Sequence, residues 1–367
     1  MKVALVHDSL TQLGGAERVL EVLHEMYPSA PVYVLVCSRE LKEKFSAWDI
    51  RTSWLQPFYN VFPKFQYFFP IIPLALKTWN FGGYDLVVSS SSSFAKNISV
   101  PKGVCHINYC HTPTRFLWLD QDYVSQELLS WLKLFTPLVR LMLLFLKKWD
   151  YKGAKRVSAF VANSKEVKTR INRFYGRESE VINPPVDTEF WYPTQAKKDY
   201  FLLAGRLQAH KNNEIVIRTF NRLRIPLHVV GTGRQELQLR SMAGPNIKFF
   251  GRVSDETLRD EYSGALGYIY PQVEDFGLMP LEAAGCGTAT LAVAKGGSLE
   301  TVVPGVTGEF FEENISESLE QKVRAWDASA YRKDALTKHA SAFGKQVFVS
   351  KMQQSLETNF KKYTASK

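Results

Sequence analysis

Leu266-Gly267-Tyr268-Ile269-Tyr270-Pro271-Gln272-Val273-Glu274-Asp275-Phe276-Gly277-Leu278-Met279-Pro280-Leu281-Glu282-Ala283-Ala284-Gly285-Cys286-Gly287 is the stretch whose reading decides the fold. Its first six residues form an apolar run of the kind buried in a sheet. The run after Gly277 reads as a helix, with Pro280 suited to a first helical position and Gly285 or Gly287 to the end. This strand, loop and helix put Glu274 on the loop and Glu282 about one turn into the helix. Between the carboxylates lie backbone N–H groups at a helix N-terminus, which suit an anionic or hydroxyl-rich ligand. An ionised carboxylate only accepts hydrogen bonds, so the pair suits sugar hydroxyls.

The same strand and helix alternation extends in both directions. Upstream in the first half, Val3–Val6, Pro31–Val36, Leu86–Ser89, His106–Tyr109 and Ala159–Ala162 read as buried parallel strands. A helix from about Gly15 to Tyr27 carries Val19, Leu20, Leu23 and Met26 at helical spacing. In the second half, Tyr200–Ala204, Leu227–Val230, Lys248–Phe250, Leu266–Tyr270 and Thr288–Val293 read as strands. Two such series predict an α/β chain of two doubly wound domains. The proline-rich segment from Ile182 to Gln195 marks the boundary. We expect a first domain over 1–185, a second over 186–343 and a closing helix over 344–367, with Val347, Phe348, Met352 and Leu356 on one face.

Composition narrows the class. At 367 residues the chain is too long for one ordinary core, and 45% apolar with 22% charged residues is globular. Its four cysteines have no Cys-x-x-Cys spacing, which implies a reducing compartment and no structural metal. Met1–Val6 ends at His7-Asp8, a first strand rather than a signal peptide. No apolar run reaches the roughly 18 residues of a membrane-spanning helix.

A net charge of +10 admits nucleic acid, an anionic membrane surface or anionic small substrates. No RNP-like aromatic stretch or zinc finger supports nucleic acid. Two segments favour the membrane. Residues 54–79 are crowded with aromatics and broken by Pro57, Pro63, Pro70 and Pro73. Residues 131–156 combine a Leu/Phe-rich run with Trp149 and a basic flank of Lys147, Lys148, Lys152, Lys155 and Arg156. Apolar bulk flanked by Trp and Lys fits a helix lying in a membrane interface, the competing reading being a helix buried within the domain.

Four further constellations carry chemistry. Gly14-Gly15-Ala16-Glu17-Arg18 follows the first strand and opens a helix, but lacks the spacing of a dinucleotide fingerprint. Gly205-Arg206-Leu207-Gln208-Ala209-His210-Lys211 follows the first strand of the second half. Open α/β sheets bind ligands at such strand ends, and an Arg with a Lys suits a diphosphate. Gly231-Thr232-Gly233 ends the next strand and permits close backbone approach. Cys110-His111-Thr112-Pro113-Thr114-Arg115-Phe116-Leu117-Trp118 would project His111 from a strand end.

Together these residues resemble a GT-B glycosyltransferase of the large retaining family 4. The resemblance covers nearly the whole chain. It rests most on Glu-x7-Glu at Glu274 and Glu282, then on Gly-Arg-x4-Lys at Gly205, Arg206 and Lys211, and on Gly14-Gly15. The His111–Trp118 stretch looks like bacterial and archaeal mannosyltransferases of the O-antigen and exopolysaccharide type. One departure is Gly296-Gly297-Ser298-Leu299-Glu300, where the family often has proline before the glutamate.

The resemblance implies two facing Rossmann-like domains, with the final helix crossing back to the first. It implies catalytic roles for His111, Glu274, Arg206 and Lys211, the last two on the diphosphate. Glu282 would accept from ribose hydroxyls, and Glu274 with the N–H groups of Phe276, Gly277 and Leu278 would hold the transferred sugar. Gly14, Gly15, Gly205 and Gly231 would complete the donor and acceptor loops. The implied donor is a nucleotide sugar, favouring GDP-mannose, used without metal or other cofactor. The implied acceptor is a lipid-linked oligosaccharide at the inner face of the cell membrane, with the protein cytoplasmic and peripheral. A UDP-sugar donor, an epimerase or hydrolase on a similar fold, and a non-catalytic nucleotide-sugar binder are the competing readings.

Overall fold

The computed structural model describes residues 1–119, 136–313 and 315–366. The chain divides into two compact units, Met1–Pro184 with Phe348–Lys367, and Pro185–Val347.

The first unit is built on a seven-stranded parallel sheet: β1 (Val3–His7), β2 (Val32–Val34), β3 (Ile50–Thr52), β4 (Leu86–Ser91), β5 (Cys105–Cys110), β6 (Ala159–Ala162) and β7 (Ser179–Val181). The order is β3-β2-β1-β4-β5-β6-β7, so the winding reverses between β1 and β4. β1, β4 and β5 are buried along their whole length, as strands covered on both faces must be. On one face Val19, Leu20 and Leu23 of the helix Gly15–Met26 pack in a cluster with Phe348, Met352 and Leu356 of the helix Lys345–Ala365. Burying such side chains contributes roughly 1.5–3 kcal/mol each, which is what ties the C-terminal helix to this unit. The other face buries Tyr59, Phe68, Ile72, Phe94, Phe116 and Leu146.

The second unit holds β8 (Phe201–Ala204), β9 (Leu227–Val230), β10 (Ile247–Gly251), β11 (Tyr268–Tyr270), β12 (Thr290–Val293) and β13 (Gly308–Phe311), in the order β10-β9-β8-β11-β12-β13. It is parallel throughout and reverses between β8 and β11. Each expected strand is present, and β3, β7 and β13 are additional.

The helix after β11 differs from expectation at its start. It runs Leu278–Gly285 with Gly277 as N-cap, so Pro280 is its third residue and not its first. The reason is Gly277, whose left-handed conformation (φ 86°) turns the chain into the helix two residues before the proline.

The aromatic segment 54–79 folds as Gln56–Val61, a 3-10 turn Phe65–Ile71 and Ile72–Leu76. The basic segment forms the helix Thr136–Arg156, and its residues 131–135 lie outside the described residues. Val139, Met142, Leu143, Leu146 and Trp149 face the core, whereas Leu138, Leu141, Leu144 and Phe145 are exposed. The helix is therefore buried on one side and apolar on the other. Among the described residues no helix is long and apolar enough to cross a membrane.

Candidate active site

In the second unit the expected residues gather where β8 and β11 end, the switch point at which open α/β sheets form a ligand crevice. Gly205 follows β8, and its N–H donates to Val230 O of β9 at 3.0 Å. The next loop packs on it so closely that a Cβ at Gly231 would stand 1.9 Å from the Gly205 carbonyl oxygen, so only glycine fits. Arg206 is exposed on this loop. The loop continues into a 3-10 turn, Ala209–Lys211, ended by Asn212 in a left-handed conformation (φ 55°). Asn212 Nδ2 donates to Pro271 O at 3.3 Å, which ties this loop to the end of β11.

That tie brings Lys211 to Glu274. The ammonium donates to Glu274 Oε1, with 11% of the lysine and 28% of the glutamate side chain exposed. The Glu274 loop rests on the Gly296-Gly297 turn. Gly297 N–H donates to Glu274 O at 2.9 Å, and a Cβ on Gly297 would lie 2.2 Å from Phe276 backbone atoms. The turn that departs from the family pattern is thus a support under the acidic loop. Phe276 is buried in the core, and Gly277 and Leu278 begin the helix. Glu282 lies one turn in and is 7% exposed, close to Tyr262, Tyr268 and Cys286. Burial first, and then the Glu282 charge, push the Cys286 thiol up to about 12.

The first unit holds the other expected residues. Gly14 is the N-cap of the helix that Gly15 opens, and its carbonyl accepts from Arg18 N–H at 3.0 Å. His111 follows β5 and is buried, with its Nε2 2.8 Å from Ser90 Oγ. The rest of its sequence stretch is held from below. Asp150 accepts from Thr114 Oγ1 (3.0 Å), Trp118 Nε1 (2.8 Å) and Tyr175 OH (2.7 Å), and pairs with Lys96 Nζ at 2.7 Å. Thr114 and Trp118 are therefore anchors for the loop that carries His111.

Sequence reasoning missed His7, Asp8, Glu17 and Ser90, which surround the β1/β4 reversal. Asp8 accepts from the N–H groups of Ser92, Ser93, Phe94 and Ala95 at 2.6–2.8 Å. The available signal was the position of His7-Asp8 at the end of the first strand, where the run of apolar residues stops on two polar ones.

Two Rossmann-like units, each with polar side chains at its switch point, define a doubly wound α/β protein. Residues 13–190 match the family model for Glycosyltransferase Family 4, and residues 188–344 match that for Glycosyl transferases group 1. Together the two matches run over residues 13–344, and the chain is similar to group 1, family 4 glycosyltransferases along most of its length. It is similar to the D-inositol 3-phosphate glycosyltransferase of Kribbella flavida, 30% identical over 182 residues that make up 40% of this chain and 43% of that one. It is also similar to a GDP-mannose-dependent monoacylated alpha-(1-6)-phosphatidylinositol monomannoside mannosyltransferase of Corynebacterium glutamicum, 35% identical over 89 residues, 21% of this chain and 23% of that one. These matches span less than half the length of either relative. Among solved structures, HepE of Anabaena in complex with UDP superposes with a TM-score of 0.72 at 18% identity, over 98% of this chain and 100% of that one. The fold is GT-B.

Proposed function

We propose that this protein transfers mannose from GDP-mannose to a membrane-associated, lipid-linked glycan, with retention of configuration, at the inner face of the cell membrane. The observation that carries the reading is the Lys211–Glu274 pair seated at the β8/β11 switch point beside the Gly205 and Gly231 loops. Transfer requires the departing diphosphate to be stabilised while the sugar carbon becomes oxocarbenium-like. Lys211 as a point charge and Arg206 as a fork supply that stabilisation, so the reaction proceeds without a resident metal. Glu274 then accepts from sugar hydroxyls and Glu282 from the ribose. His111 serves the acceptor side, and the departing phosphate oxygen takes the acceptor's proton.

The mannose assignment draws on the His111–Trp118 stretch and on the Corynebacterium glutamicum relative. The membrane assignment draws on the exposed apolar face of Thr136–Arg156 beside Lys148 and Lys152.

Calorimetric titration with GDP, UDP and ADP, then GDP-mannose, all in EDTA, tests the donor. Binding of GDP species alone supports the reading and is followed by a lipid-linked acceptor screen. Preference for UDP replaces mannose with a UDP-sugar, and failure to bind any nucleotide overturns the donor site.

A further inference from the structure

The first unit contains a buried polar chain that ends on His111, and the transfer scheme gives its other members, Glu17, His7 and Ser90, no task. Ser90 Oγ lies 2.8 Å from His111 Nε2 and 3.2 Å from His7 Nδ1, and His7 Nε2 lies 3.5 Å from Glu17 Oε1. All four side chains are buried, Ser90 completely. They arrive from four elements. His7 ends β1 and is the register partner of Ser90 on β4, Glu17 sits in the first turn of Gly15–Met26, and His111 follows β5. The chain lies at the β1/β4 reversal, where this sheet's ligand crevice is expected.

Donor and acceptor roles along the chain are linked. An ionised carboxylate only accepts, so Glu17 takes the Nε2–H of His7. If His7 is an imidazolium, its Nδ1–H donates to Ser90 Oγ, the hydroxyl proton turns to His111, and His111 Nε2 is an acceptor. If His7 is neutral, its Nδ1 accepts from Ser90, and His111 must present Nε2–H instead. Burial alone would push His7 down, but the hydrogen bond and charge of Glu17, together with Asp8 and the Ser90 backbone carbonyl, bring the net shift above its usual value. Asp8 is the other charged group acting on this ring, and its oxygens are already engaged by four backbone N–H groups.

We propose that Glu17, His7 and Ser90 are positioning residues that hold His111 as the neutral Nδ1–H tautomer, with its Nε2 bound to Ser90. The charge that Glu17 imposes on His7 selects the tautomer two hydrogen bonds away. The catalytic consequence rests on the acceptor-side role given to His111 above, whereas the tautomer does not.

The test is 15N NMR of the full-length protein labelled at histidine, with His111 assigned through His111→Gln. The expected spectrum shows Nδ1 of His111 protonated at pH 7. In Glu17→Gln, His7 loses its counter-charge and the His111 proton moves to Nε2. Nε2–H in the wild type, or an unchanged tautomer in Glu17→Gln with His7 shown to be neutral, overturns the proposal. In turnover assays, Ser90→Ala is expected to lower kcat about tenfold to 100-fold with donor KM unchanged, and Ser90→Thr to restore it. Equal rates for Ser90→Ala and wild type, with His111→Ala inactive, count against positioning. If His111→Ala is fully active while the tautomer responds to Glu17, the acceptor-side role of His111 falls and the relay stands.

Discussion

Lys211 and Glu274, 63 residues apart in sequence, form an ion pair where the two inner strands of the C-terminal sheet end. Each is expected to touch a different part of one donor, the lysine its diphosphate and the glutamate its sugar. Paired, they neutralise one another, so donor binding must exchange this contact for two others. Glu274→Gln removes the lysine's counter-charge and replaces one of the two oxygens that accept from the sugar with an NH2 donor. It is expected to bind GDP about threefold to tenfold more tightly, since a partly exposed pair is worth about 1 kcal/mol, yet to turn over far more slowly. Lys211→Ala is expected to lose about 100-fold to 1,000-fold in kcat, the usual loss of one preorganised donor. Titration of GDP and initial rates on both variants separate the effects, and weaker GDP binding in Glu274→Gln contradicts the exchange.

Asp150 is the anchor of the first unit's loop. It and Lys96 are both fully buried, and Asn97, Thr114, Trp118 and Tyr175 also donate to the carboxylate. Removing the charge strands a buried ammonium, which costs about 3–5 kcal/mol. Asp150→Asn is expected to lower the first unfolding transition by about 10 °C, with GDP affinity unchanged. Differential scanning calorimetry with and without GDP reads both effects, and a midpoint within a degree of wild type contradicts the role.

The central strands were legible because burial on both faces writes a continuous apolar run, as in Val3–Val6 and Leu227–Val230. The three strands that were not, Ile50–Thr52, Ser179–Val181 and Gly308–Phe311, are all at sheet edges, where partial exposure admits Arg51, Glu180 and Glu309. The loops of the second unit were legible because glycine at a close backbone approach and charge at a strand end are local signals. The chain from Glu17 to His111 was not. Its members are spread widely along the sequence, and only the parallel register of β1 and β4 sets His7 opposite Ser90.

His106 gives the fold a defined acid sensitivity. It is buried, hydrogen-bonded to Ser89 Oγ at 2.7 Å, and held at about 3 by burial and then by the Arg156 charge. The unfolded chain protonates this ring near 6.5. Between those values the unfolded state binds more protons, so stability falls as pH falls, by up to about 1.4 kcal/mol per pH unit. Lowering the pH from 7 to 5 is therefore expected to cost the wild type about 2 kcal/mol more than His106→Gln, which keeps a partner for Ser89. Urea midpoints at the two pH values measure the difference, and equal losses in both proteins contradict it.

The helix Thr136–Arg156 carries two apolar faces, and only one has a protein partner among the described residues. Leu138, Leu141, Leu144 and Phe145 are each at least 60% exposed, while Leu146 is fully buried one residue further on. Phe58, Val61 and Phe62 are also exposed, on a segment that packs against the same buried cluster. Lys148 and Lys152 stand on the exposed side as well, whereas Lys147 lies over the Trp118 ring at 4.6 Å. Exposed leucines do nothing for folding, so they can be exchanged without loss of stability. Leu141→Ser with Phe145→Ser is expected to leave the unfolding midpoint within about a degree and to weaken sedimentation with anionic liposomes about tenfold or more. Lys148→Ser with Lys152→Ser is expected to remove much of the salt dependence of that binding. If both double variants bind anionic vesicles as the wild type does, or if the wild type stays in the supernatant at low salt, these faces do not meet a membrane, and the lipid-linked acceptor loses its structural support.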